Sequence, residues 1–180
     1  PSARTLLDYV AMAGKPIAQG AVLRAADLGR DARAALARLR SGHFVRTAGD
    51  SDRDTVETFH NRIREVLLGS LPADQQRVLH LQLGEALLAD GEEAPDAVAL
   101  AQHFQGGGDD VRGLHWGLVA ARQAHAVHAN REAVLHYDAV LAILDRQSSP
   151  DVQEQQTQVR QEAAEAARQA GLYDKALVLV

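Results

Sequence analysis

Over residues 1–41 the apolar side chains recur every three to four positions, the period of helices with one buried face. Leu6, Leu7, Val10 and Ala13 form the first stripe, and Gly14 and Pro16 stop it. A second helix is predicted over Ala18–Ala26, with Val22, Leu23 and Ala26 inward and Gly29 beyond its end. A third is predicted over Asp31–Ser41, capped by Asp31, with Ala32, Ala35, Leu36 and Leu39 inward and Gly42 closing it. The period then changes. His43–Ala48 reads as a short strand, Gly49–Asp54 as a polar turn, and Thr55–Phe59 alternates polar and apolar as a half-buried strand does. Three helices followed by a β-hairpin is the element order of a winged helix. Helical spacing then returns, with Asn61 as a cap and Ile63, Val66 and Leu67 inward.

Beyond residue 70 the pattern is helical to the end. Pro72 suits a first turn, and Leu79, Leu83, Ala86 and Leu87 form a face running to about Ala89, closed by Asp90 and Gly91. Pro95 opens another helix with Val98, Ala101 and either Phe104 or Leu100 inward, ended by Gly106–Gly108. Further helices are predicted at about 110–128, 130–147 and 151–170, with a last one from near Tyr173. The connections are a few residues long, as between antiparallel helix pairs. The segments around Gly113, Ala133 and Ala176 share a turn followed by small and aliphatic residues, the mark of a repeat array. The expectation is therefore a mainly α chain: a winged-helix domain over 1–69 and helical hairpins stacked as an α-solenoid over 70–180.

Composition sharpens this picture. Ala (33) and Leu (23) dominate the 180 residues, and only 4% are aromatic, so the core must come from close helix–helix contacts. There is no Cys, which excludes disulfide scaffolds, Cys-ligated zinc and iron–sulfur clusters. No apolar run is long enough to span a bilayer. The start at Pro1, without Met or a signal-peptide pattern, reads as that of an excised fragment, and a cytoplasmic location is expected. The uncapped apolar run Leu177–Val180 suggests that further repeats follow. Charge divides unevenly. Residues 1–69 carry 11 Lys/Arg against 8 Asp/Glu, and residues 70–180 carry 8 against 16. The acidic remainder is a poor partner for phosphate backbones.

Chemistry is sparse. No G-x-x-x-x-G-K-[ST] occurs, and Gly106–Gly108, followed by Asp109 and Asp110, reads as a connection and not as a phosphate loop. His115, His125, His128 and His136 invite a metal-enzyme reading, but no H-E-x-x-H accompanies them. Glu92, Glu93 and Asp96 cluster at a helix start, where acids favour the dipole, and Ser148-Ser149-Pro150 reads as a turn. No nucleophile–base set is present, so no enzyme activity is expected. Arg33 and Arg40 lie on one flank of the third helix and Arg38 on the other, where a DNA-binding member would place its recognition contacts. Nucleic acid would then be met through residues 31–41 and dimers formed through the helical region. Asp50, Asp52 and Asp54 at the hairpin tip oppose phosphate. His60 stands where a helix N-terminus stabilises a nearby anion.

The run from Leu6 to about Leu144 resembles the region after the nucleotide-binding domain of bacterial STAND-type signalling NTPases, a class that includes large transcriptional activators and multidomain kinases. The matching pieces are LLDYVAMAGKPI, LARLRSGHFVR, TFHNRIREVLLGSLP and ALAQHFQGGGD. In that family a winged helix follows the ATPase core and TPR-like repeats follow the winged helix. Phe59–Glu65 is similar to the family's Phe-Arg-His-x-Leu-x-Arg-Glu segment, without the Arg between Phe and His. It is also similar to the Met-His-Asp motif of related apoptotic and plant-immunity NTPases, with Asn61 in place of Asp. The resemblance implies a nucleotide-sensing role for His60 together with an upstream domain. It implies ADP or ATP only through that domain and no cofactor within these residues. The implied partners are the intramolecular ATPase core and a protein or inducer bound by the repeats, with no membrane. Ala121, Ala124, Ala133, Tyr137 and Val140 fit one TPR-like unit, and Ala164, Ala167 and Ala176 begin another. The 43 residues from Ala133 to Ala176 exceed the usual repeat of about 34, which predicts lengthened helices.

Overall fold

The computed structural model describes residues 1–89, 95–147 and 150–179, with the Asp151 side chain left aside. Asp90, Gly91, Glu92, Glu93, Ser148, Ser149 and Val180, all named above, lie outside the described residues. The chain is mainly helical and forms two compact units, residues 1–95 and 96–180. Among the described residues no helix is long and apolar enough to cross a membrane.

In the first unit, α1 (Ser2–Ala13), α2 (Gln19–Ala26) and α3 (Ala32–Ser41) precede β2 (Val45–Thr47) and β3 (Thr55–Thr58). Gly14 ends α1 in the left-handed region, φ 73°, where the missing Cβ removes the steric cost. Then α4 (Asn61–Ser70) and α5 (Ala73–Leu88) follow. The periodicity of residues 16–18 hid one element: Ile17–Ala18 form β1, antiparallel to β3, so the sheet order is β1-β3-β2. A two-residue strand leaves no alternation to read, and Ala18 scored as a helix start.

The core of this unit comes from α1, buried almost along its length from Leu6 to Ala13, with Val22, Leu36, Leu39, Val45 and Val56 around it. Leu79, Leu83 and Ala86 of α5 close the same core. The Tyr9 hydroxyl donates to Gln82 Oε1, and Arg24 donates to the Ala86 carbonyl at 3.3 Å. This packing explains why the first unit runs to Pro95 and not to residue 69: α5 buries its apolar face on α1 and α2. Two inward assignments also change. In α4 Val66 is exposed while Leu67 is buried, and in the helix after Pro95, which belongs to the second unit, Val98 is exposed while Leu100, Ala101 and Phe104 are buried.

The second unit is a run of α6 (Ala97–Gly107), α7 (Asp110–Ala126), α8 (Asn130–Leu144), α9 (Pro150–Gln169) and α10 (Tyr173–Leu179), each packed on the next. Caps set the short connections. The Asp96 carboxylate accepts from Ala99 N and that of Asp109 from Arg112 N, both at 2.9 Å. The Arg112 guanidinium lies 4.1 Å from the centre of the buried Phe104 ring. Small residues let the helices approach. A Cβ on Gly117 would lie 2.7 Å from Val140 Cγ2, and Val140 is fully buried.

That contact yields a stability test. Gly117→Ala gains about 1 kcal/mol of helix propensity. It must then displace a stiff, buried Val140, an overpacking cost of roughly 1–3 kcal/mol. The expected net result is a lower urea midpoint. Gly69→Ala, where nothing lies within 4 Å of the new Cβ, should raise the midpoint.

Candidate functional site

The first candidate region is built around the hairpin turn. Gln19 is almost completely buried, and its Nε2 donates to the Gly49 carbonyl at 2.8 Å. Gln19 N and Gly20 N donate to the carbonyls of Asp54 and Asp52 at 2.9 and 2.8 Å. A Cβ on Gly20 would lie 3.1 Å from Asp52 Cβ and 3.2 Å from its carbonyl, so a side chain there would press the turn back by a few tenths of an ångström. Inside the turn, the Asp54 carboxylate accepts from Ser51 N at 2.7 Å, which holds its pKa below the ordinary carboxylate value.

The arginines of α3 complete the arrangement. Arg33 pairs with the Asp52 carboxylate and donates to the Asp50 carbonyl at 3.3 Å; Arg40 pairs with the Asp50 carboxylate. The structure thus brings Arg33 and Arg40 together on the hairpin acids. Arg38 lies exposed on the other flank of the helix and does not join them. The turn is docked on α2 and α3, with its carboxylates placed against two of the three arginines singled out for DNA contact.

His60 occupies the N-cap position of α4, extended at φ −135° and ψ 143°, with no side-chain capping bond. Asn61, the expected cap, is instead the first helical residue. The His60 ring is exposed and meets Phe59 edge-on at 4.7 Å; Phe59 in turn meets His43 at 5.6 Å. A polar recess of about 190 Å³ lies between α1, the sheet and α4; the chain neighbours Phe59 and Asn61 line it, and the His60 ring does not. Lys15, Arg46, Arg64 and Glu57 also line it. Arg46 donates to Glu57 at 2.8 Å and Arg64 to the Ala11 carbonyl at 3.1 Å. Three cations and one carboxylate thus line the recess, the carboxylate being bonded to Arg46.

In the second unit, α7, α8 and α9 converge on a carboxylate. Arg122 binds Glu162 through two hydrogen bonds of 2.9 Å, and the Tyr137 hydroxyl donates to Glu162 Oε2 at 3.0 Å. Gln158 adds a bond of 3.2 Å. Burial would raise the Glu162 carboxyl, but the bonds from Arg122 and Tyr137 outweigh it and hold it below its usual range. The Tyr137 phenol is pushed up to about 12, first by burial and then by its bond to the Glu162 carboxylate. An open groove of about 500 Å³ lies over this network, flanked by His125 and Glu165.

Tyr137 was marked in the sequence by its place in a repeat pattern. Arg122 and Glu162 were not, because 40 residues separate them and no local pattern pairs them. Among the described residues no group of three or more His, Asp or Glu side chains could hold a metal ion. His115 stacks edge-on to Trp116 at 5.0 Å, and burial lowers the His136 pKa.

Comparison with family models, with curated proteins and with solved structures found no match.

The Tyr137–Glu162 bond has a pH signature. A phenol raised in the folded state stabilises it below the ordinary pKa of 10.0, and this contribution is lost as pH climbs to about 12. Ultraviolet titration should place Tyr137 ionisation near 12, a step that Tyr137→Phe removes. Glu162→Gln should move the step towards 10.0.

Proposed function

We propose that this chain is a non-catalytic regulatory and protein-interaction module of a larger STAND-type signalling ATPase. In this reading the first unit is a winged helix that packs on an upstream nucleotide-binding core. The helix pairs of the second unit are TPR-like repeats of an α-solenoid that bind a protein partner or inducer. ADP or ATP belongs to the upstream domain, and the setting is the bacterial cytoplasm.

The observation that carries this reading is the position of His60. It is exposed at the N-cap of α4, between Phe59 and Asn61, which line a recess together with Lys15, Arg46 and Arg64. A helix start supplies unpaired N–H groups and the positive end of the dipole, and the neighbouring cations add to that field. A nucleotide phosphate presented by an upstream domain would be stabilised there. The helix-helix-helix-hairpin order supports the winged-helix assignment, and the successive packing of α6 to α10 through small residues supports the repeat assignment.

The alternative is a DNA-binding winged-helix regulator with a helical dimerisation region. The docked turn weighs against it: Asp50 and Asp52 occupy Arg40 and Arg33, and a phosphate would have to displace them.

Two measurements test these readings. In the full-length protein, His60→Ala should speed ADP exchange and raise basal signalling, because the ADP-held resting state is weakened; unchanged exchange would sink the sensor role. The 180-residue chain should show no retention on duplex DNA at low salt. Retention that Arg33→Ala/Arg40→Ala abolishes would favour the regulator instead.

A further inference from the structure

The first unit carries an apolar groove of about 510 Å³ that neither the nucleotide reading nor the repeat reading uses. Its floor is Leu7 of α1, Leu39 at the end of α3 and Ile63 and Leu67 of α4. Two of its walls are unusually open for their type. Phe44 is 47% exposed and Val66 is 59% exposed, although both are large and apolar. Val66 follows the helical spacing of Ile63 and Leu67 yet meets solvent, so this face of α4 is apolar beyond what the core of the unit covers.

The two charged side chains that line the groove are both arginines. Arg62 stands at the first turn of α4. Arg4 reaches the other end of that helix, where its Nη2 donates to Ser70 Oγ at 3.1 Å. Arg62 and Ser70 are eight residues apart on one helix, a span of about 12 Å. Arg4 is held by Asp8 at 2.8 Å as well as by Ser70, and Arg62 lies 3.8 Å from Glu65, yet both side chains stay more than half exposed, at 56% and 84%. No carboxylate lines the groove. An apolar trough walled by helices, with a cation at each end, has the shape and charge of a helix-in-groove site.

We propose that this groove binds an amphipathic helix of a protein partner, whose apolar face covers Phe44 and Val66 and whose carboxylates, about two turns apart, meet Arg62 and Arg4. The occupant is set by charge complementarity. A helix with basic ends would bring like charges to both arginines and would be rejected. The inference goes beyond the regulatory reading and does not use His60, so its failure leaves the ADP-exchange test untouched.

The test uses two labelled helical peptides on the 180-residue chain. Both carry a Leu stripe at i, i+3, i+4; one has Glu seven residues apart at its ends, the other Lys. Fluorescence anisotropy should show the Glu peptide binding at least about tenfold more tightly. Val66→Asp should weaken it by a similar factor without lowering the thermal midpoint, since Val66 is exposed. Arg62→Glu should shift the preference towards the Lys peptide, a gain that damage to the fold would not give. Equal affinity for the two peptides, or no binding of either, would overturn the proposal. So would a dimer in sedimentation that Val66→Asp dissolves, because the occupant would then be a second copy. Binding to anionic vesicles that Arg62→Glu abolishes would overturn it in favour of a lipid surface.

Discussion

Close approach of helices at alanine and glycine is the constraint on which both units depend. With few aromatic side chains to fill space, apolar burial has to come from bringing backbones together. In the first unit Ala11, Ala13 and Ala21 are almost completely buried and let α1 sit among α2, α3, α4 and α5. In the second, Gly117 meets Val140, and Ala163, Ala166 and Ala167 are closed from solvent. Cores made this way tolerate little added volume, and that ties the side-chain networks above them to one backbone geometry.

Arginine supplies 17 of the 19 basic residues. These arginines are committed in several ways. Arg33 and Arg40 hold the hairpin acids, Arg122 holds Glu162, and Arg112 covers the Phe104 ring. Each planar guanidinium satisfies a carboxylate or a ring face that a lysine would meet less well. The hairpin turn is accordingly a docked element, fixed by Gln19 and by the backbone approach at Gly20. Cations also gather in two further places: the recess lined by Lys15, Arg46 and Arg64, and the ends of the apolar groove at Arg4 and Arg62.

These two places divide the candidate chemistry of the first unit. The recess is small and polar and lies beside a helix start, as an anion requires. The groove is larger and apolar and has its cations at the rim, as a helical partner requires. In the second unit the Tyr137–Glu162–Arg122 network crosses three helices, so it reports on their mutual placement more than on any one of them.

The sequence by itself determined the helical class, the place of the hairpin, the helix start at His60 and the order of the later helices. Periodicity is local, and the backbone follows it; the expected caps are less well kept, since Asp31 makes no side-chain capping bond and Asn61 is the first helical residue of α4. Burial was legible less far: Val66 and Val98 carry the spacing of buried residues and are exposed, because which part of an apolar stripe is covered depends on what packs there. The strand Ile17–Ala18 was too short to alternate and exists only because β3 pairs with it. The extent of the first unit, the partners of Arg33 and Arg40, and the meeting of Arg122 with Glu162 were decided by tertiary structure alone. Each joins side chains or elements far apart in the chain, and no local preference encodes a contact that only the packing of whole helices creates.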